Sequence, residues 1–253
     1  MELSNKSAIV TGGGQGIGKG LALALAKAGA NVVIHYHVAA DKADTTANEI
    51  RKLGRRAITI QSDFSQANAP EAFLNTAISQ LGSIDILVNC AAIYHRGPLL
   101  NLSPELFTKM QQMNVEVPLR LIQGLAHHLI ERKAPGSIIN ISSISGLRPA
   151  IGSCAHSCAK AALNMLTASA ALELAPYQIR VNGIAPGVTE TESNEPYMKQ
   201  DPKAWKEMIE TIPLKRGGYP SDYAGLVVLL ASDASSWLTG VTITCDGGTT
   251  ISQ

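Results

Sequence analysis

Thr11-Gly12-Gly13-Gly14-Gln15-Gly16-Ile17-Gly18 is the stretch from which the rest of this 253-residue chain can be read. A β-branched apolar run precedes it and an Ala/Leu-rich helical pattern over 16–28 succeeds it. Glycines at a strand-to-helix turn permit positive φ and let an anion approach the backbone, where the free N–H groups and dipole of the next helix attract it. The spacing is G-x-x-x-G-x-G and not G-x-G-x-x-G. A tight strand-to-helix connection would use glycine too, so the turn takes its meaning from the remainder of the chain.

Beyond the turn the pattern alternates regularly. Short apolar runs at 8–11, 32–36, 57–61, 84–89, 137–142, 180–184 and 241–245 predict strands. Between them lie helical patterns at 16–28, 43–52, 70–80, 104–132, 153–174, 202–211 and 221–231, with Gly29, Gly54 and Gly82 as expected stops and Ser221 as an expected N-cap. Repeated βαβ units with strands apolar on both faces predict one doubly wound α/β sheet, parallel and covered by helices on both sides. No linker or repeat divides the chain, so residues 1–253 read as a single domain. The polar stretch 187–201, carrying Glu190, Glu192 and Glu195, reads either as a solvated loop or as part of a substrate lid over 187–215.

Composition excludes several classes. Lys+Arg 21 against Asp+Glu 20 gives a net charge of +1, without the basic surplus that a nucleic-acid backbone demands. Apolar runs fall far short of the ~18 residues of a membrane span. The start, Met1-Glu2-Leu3-Ser4-Asn5-Lys6, has no secretory pattern, which points to the cytoplasm. Cys90, Cys154, Cys158 and Cys245 are scattered and read as reduced thiols, and no ligand set with metal spacing is visible. His127, His128 and the two tryptophans carry no motif: the histidines read as surface or interface residues, and Trp205 and Trp237 as packing.

Thr11–Gly18, Asp63, Asn89-Cys90-Ala91-Ala92, Asn114, Ser143, Lys160, Pro186-Gly187 and Asp246-Gly247-Gly248 stand in the order and spacing of the short-chain dehydrogenase/reductases, and the chain resembles that family from end to end. The resemblance, to 3-oxoacyl carrier-protein reductases and sugar dehydrogenases in particular, implies a seven-stranded Rossmann sheet of order 3-2-1-4-5-6-7. It implies an oxidoreductase that moves hydride between a nicotinamide dinucleotide and a small alcohol or carbonyl substrate. Gly12, Gln15, Gly16, Ile17 and Gly18 would form the pyrophosphate turn, and Tyr36 and His37 would meet the adenosine ribose. Asp63 would meet the adenine, and Asn89 would steady the sheet beside the cofactor. Pro186, Gly187, Val188 and Thr191 would flank the nicotinamide. Asn114 would hold a water that links Lys160 to solvent, and Lys160 would bind the ribose hydroxyls. Helices 104–132 and 153–174 would build a homotetramer.

The choice of dinucleotide turns on the end of the second strand, His35-Tyr36-His37-Val38. An NAD enzyme would place a carboxylate there for the ribose 2′-OH. None is present, and His37 and Lys42 are the nearby cations, so NADP is preferred over NAD. The larger departure is at the acid/base position. The family passes its proton through a Tyr four residues before the Lys, with a Ser holding the substrate oxygen; Ser143 and Lys160 are in place, but counting back four from Lys160 reaches His156. A neutral imidazole is a competent base for alcohol oxidation and a poor acid for ketone reduction. It also ends roughly 2 Å short of a phenol oxygen, against a hydrogen-bond reach of about 3 Å. Three readings stay open: dedicated histidine chemistry, a Tyr-to-His inactivated variant, and a cofactor-binding homologue with lost or redox-neutral chemistry. Tyr94 and His95 are candidate substitute donors or pocket walls, and the substrate pocket is expected from Tyr94, His95, 148–151 and the lid.

Overall fold

Alternating apolar residues on seven short strands have two faces to bury, and each face has its own helical layer. The computed structural model describes residues 2–252, apart from the side chains of residues 196 and 197. The strands are β1 (Ser7–Val10), β2 (Asn31–Tyr36), β3 (Ala57–Gln61), β4 (Ile86–Asn89), β5 (Gly136–Ile141), β6 (Ile179–Pro186) and β7 (Thr242–Cys245). They form one sheet of order β3-β2-β1-β4-β5-β6-β7, and each neighbouring pair is parallel. The helices are α1 (Gly16–Lys27), α2 (Ala40–Lys52), α3 (Ala69–Leu81), α4 (Pro104–Gln111), α5 (Val117–Glu131), α6 (Cys154–Leu174), α7 (Glu195–Gln200), α8 (Pro202–Thr211) and α9 (Ala224–Ala231).

On one face, Val10, Val32, Ile34 and Val88 pack against Leu21 and Leu25 of α1, Ile50 of α2 and Leu230 of α9. On the other, Ile9, Val33, Leu87 and Ile138 meet Phe73 and Leu74 of α3, Leu121 and Leu125 of α5, and Ala171 of α6. This is the layered solution that both-face apolar strands require. The reversal of strand order between β1 and β4 leaves a crevice at the carboxyl ends, where a ligand fits an open α/β sheet.

The differences from the expected elements have local causes. The predicted helix 104–132 is two helices joined by a π turn at Gln112–Glu116. Pro118 has no N–H to donate to the Asn114 carbonyl, so the regular ladder cannot run through this point. Ser221 does not cap a helix: Pro220–Tyr223 forms a 3-10 turn, and Asp222 accepts from the Tyr219 N–H at 2.7 Å. The stretch 187–201 is not all loop, because α7 occupies Glu195–Gln200. Gly29, Gly54 and Gly82 all stand at positive φ just past their helices, as stops do. Trp237 is 98% exposed, contrary to its reading as a packing residue. No helix among the described residues is long and apolar enough to cross a membrane, and none of the His, Cys, Asp and Glu groups among them forms a metal cluster.

Candidate active site

The glycine turn is shaped by contacts that side chains would obstruct. Gly12 (φ +66°) and Gly16 (φ +53°) are left-handed, and a Cβ at Gly18 would overlap the Gly12 carbonyl oxygen. Thr11 Oγ1 accepts from the N–H groups of Cys90 and Ala91, both at 2.9 Å, and so ties the turn to the loop after β4. Gln15 Oε1 accepts from Lys42 Nζ at 2.9 Å. The Gly16 N–H, at the start of α1, donates to a Glu192 carboxylate oxygen at 3.1 Å. The anion-seeking end of α1 thus already holds a carboxylate from the segment after β6.

From this turn a cleft of about 980 Å³ runs along the carboxyl edge of the sheet, lined by Gly12, Gln15, Gly16, Ile17 and Gly18 at its middle. One end is lined by Tyr36, His37 and Asp63. Asp63 accepts from the Ser65 N–H (3.0 Å) and Gln66 Nε2 (3.3 Å), and these bonds, Ser65 first, hold its carboxyl down at about 2. His37 Nε2 lies 3.7 Å from Asp63 Oδ1. Lys42, the second cation expected here, faces Gln15 instead. Pro186, Gly187, Val188 and Thr191 line the cleft as it passes β6.

The other end holds the chemistry. Ser143 lies two residues past β5 in an extended conformation, and its Oγ accepts from the Ser145 N–H at 3.1 Å. Gly146 lets this turn ride on α6, since a Cβ there would come within 2.6 Å of the Lys160 backbone. His156 and Lys160 lie one turn apart on the buried face of α6, at 8% and 4% exposure, and both line the cleft. Lys160 Nζ donates to the Ile141 carbonyl at 2.8 Å, and burial brings its pKa down to about 8. Burial, then the Lys160 charge, push His156 down to about 4, against a smaller opposing effect of the Ile93 backbone. The imidazole is therefore neutral at neutral pH. Tyr94 stands edge-on to it, with ring centroids 4.9 Å apart, and the Tyr94 hydroxyl lies 3.3 Å from Ser153 Oγ. The His156 Nδ1 is buried with no hydrogen-bond partner among the described residues.

Two predicted residues work behind the wall of the cleft. The β4–β5 register sets Asn89 opposite Asn140, and Asn89 Nδ2 donates to Asn140 Oδ1 at 2.8 Å. Asn114, turned inward by the π turn, accepts from the Ile93 N–H and donates to the Ile93 carbonyl, both at 2.9 Å. Both amide ends thus fix the segment that faces His156. The pocket expectation is corrected in part. Tyr94 and Ala150 line the cleft, but His95 lines a smaller adjoining cavity and Ile151 is 94% exposed. Arg148 turns away to the Thr249 and Ser252 carbonyls. Trp205 and Met208 of the expected lid also line the cleft, as does Arg96, which was not foreseen. Cys90 was also missed: it lies close enough to Lys160 to feel its charge, while burial raises the thiol to about 11. Its place in Asn89-Cys90-Ala91-Ala92 was the available signal.

The cradle at Gly12–Gly18, the unclaimed Oδ1 of buried Asn89 beside the cleft, and a cavity at the upper end of the size range for ligand sites fit a dinucleotide. Similarity to known proteins agrees. A family model described as enoyl-(acyl carrier protein) reductase matches residues 12–250. The chain is 35% identical to a 3-oxoacyl-[acyl-carrier-protein] reductase of Staphylococcus epidermidis, covering 96% of this chain and 98% of that one. It is 32% identical to glucose 1-dehydrogenase 2 of Bacillus subtilis, covering 99% and 96%. The solved structure of a 3-oxoacyl (acyl-carrier-protein) reductase from Agrobacterium tumefaciens C58 with NADP bound superposes with a TM-score of 0.92 at 32% identity, covering 97% of this chain and 95% of that one. The chain belongs to the short-chain dehydrogenase/reductase family and is a nicotinamide-dinucleotide-dependent oxidoreductase of alcohol and carbonyl groups.

Proposed function

We propose that this enzyme oxidises a small secondary alcohol with NADP as the preferred acceptor, using His156 as a neutral general base. The observation that carries the reading is the placement of His156: on the cleft wall, one helical turn from Lys160, with burial and that ammonium keeping the ring unprotonated. A bound nicotinamide would supply the site for the hydride. Ser143 Oγ would hold the substrate oxygen, His156 would take its proton, and Lys160 would bind the ribose and hold the base deprotonated. With its pKa lowered to about 4 the ring is scarcely protonated at neutral pH and has little proton to give to a carbonyl, which supports the reading as an alcohol oxidation.

NADP is supported by the lack of a carboxylate at the end of β2 and by His37 at that end of the cleft. Lid residues Trp205 and Met208 give the substrate end an apolar wall, while Arg96 offers a charge for a polar substituent. A homotetramer is supported by exposed apolar side chains, Met165 (68%) and Leu172 (79%) on α6 and Trp237 in the turn before edge strand β7. Sedimentation as a monomer would refute it. Four free cysteines fit a reducing cytoplasm.

A second reading, cofactor binding without turnover, is favoured by the unpartnered Nδ1 of His156. His156→Tyr separates the two. Dedicated histidine chemistry predicts that kcat over a panel of secondary alcohols falls at least tenfold, whereas a large gain would mark a site that had lost its tyrosine.

A further inference from the structure

The glycine turn is gripped from below by a side chain to which the reaction gives no part. His35, the last residue but one of β2, is 4% exposed. Its ring lies flat on Phe64, with centroids 4.1 Å apart and planes at 8°, and Phe73 meets it edge-on at 5.2 Å. The two ring nitrogens face different partners. Nδ1 is 3.1 Å from the Gly12 nitrogen, and Nε2 is 3.0 Å from the Ser62 carbonyl oxygen. A backbone N–H can only donate and a carbonyl can only accept, so the pair of contacts selects the neutral tautomer with the proton on Nε2 and a bare Nδ1. The main chain adds a third tie, because the His35 carbonyl accepts from the Gly13 N–H at 3.1 Å. One residue therefore takes the N–H groups of both Gly12 and Gly13 and fastens them to Ser62, the neighbour of Asp63.

We propose that His35 is a positioning residue for the dinucleotide: its imidazole bridges Gly12 to Ser62 and so presets the pyrophosphate turn relative to the adenine-side loop. The inference rests on the dinucleotide assignment of the cleft. Gly12 is where such a bridge acts with most leverage. It is left-handed, and its carbonyl is the atom against which Gly18 packs, so a shift of Gly12 displaces the start of α1. Preset geometry contributes affinity because the ordering cost is met before the ligand arrives. Burial, opposed by the Ser62 carbonyl, keeps His35 neutral with a pKa of about 4, so the acceptor at Nδ1 persists through the physiological range.

The test compares His35→Leu with His35→Asn by NADPH fluorescence titration. Leucine retains bulk but has no acceptor, whereas the asparagine amide oxygen can stand where Nδ1 stands and accept from Gly12. The expected result is NADPH binding about tenfold weaker in His35→Leu and within about threefold of wild type in His35→Asn. A role in packing alone, on Phe64 and Phe73, does not depend on the acceptor and predicts no rescue by asparagine over leucine. Equal affinity of wild type and His35→Leu, or equal weakening in both variants, overturns the proposal. Should His35→Leu not fold, nitrogen-15 NMR of the wild-type histidines decides, with His35→Asn giving the assignment: a bare Nδ1 supports the bridge and a protonated Nδ1 overturns it. Wild-type protein that bound neither NADPH nor NADH would instead overturn the dinucleotide assignment, and the positioning role with it.

Discussion

Lowering the pH from 7 to 5 should cost this protein stability through two histidines that the fold keeps uncharged. His35 and His156 both have pKa values depressed from 6.5 to about 4, chiefly by burial. As the pH falls through 6.5 the unfolded chain takes up protons at these positions and the folded chain does not, so stability falls with falling pH until the folded values near 4 are reached. Between pH 7 and pH 5 each histidine moves the unfolding free energy by about 2 kcal/mol, roughly 4 kcal/mol together. The window avoids most carboxylate effects, since the shifted carboxylates Asp63, Glu71, Glu105, Glu195 and Asp222 have lowered pKa values and lose their contribution at more acid pH. The assay is urea unfolding at fixed protein concentration at pH 7, 6 and 5, for wild type and His156→Tyr. Tyrosine is uncharged across the range, so the variant should lose about 2 kcal/mol less stability than wild type, His128, also lowered by burial, contributing equally to both. A wild-type curve that is flat between pH 7 and 5, or a variant with the full wild-type loss, would refute the buried-neutral reasoning.

Two substitutions in the cleft have equally definite outcomes. His37→Asp places a carboxylate where His37 now faces the adenosine end, and should shift the ratio of kcat/KM for NADP over NAD at least tenfold toward NAD; an unchanged ratio counts against the NADP preference. Lys160→Met removes a buried ammonium whose pKa burial brings down to about 8, and should raise stability at pH 7 by up to about 3 kcal/mol while abolishing turnover. Thermal unfolding with an activity measurement checks both halves, and a destabilised variant would show that the bond to the Ile141 carbonyl outweighs the desolvation.

Much of the fold was legible because the strands are apolar on both faces and the stops are glycines at positive φ. The single long helix drawn over 104–132 failed at Pro118, whose effect depends on which carbonyl it leaves without a donor. Cleft residues from Gly12 to Thr191 came together as the motif order implied. Partners distant in sequence were not legible. That Asn114 spends its amide on Ile93, that Glu192 reaches Gly16, and that His35 reaches Gly12 are consequences of packing across the crevice. The depth of the His156 shift was likewise hidden: the neighbouring Lys160 is visible at a spacing of four, but the larger cause is burial, which only the fold supplies.

The most direct test of the central claim is the pH dependence of NADP reduction by an alcohol that the enzyme accepts, measured for wild type and His156→Ala. A base already deprotonated by its surroundings predicts a wild-type kcat/KM that stays level on lowering the pH from 7 to 5 and falls only toward pH 4, and a loss of about 10²–10⁴-fold in His156→Ala. An inflection near 6.5, or a His156→Ala enzyme as fast as wild type, would contradict it.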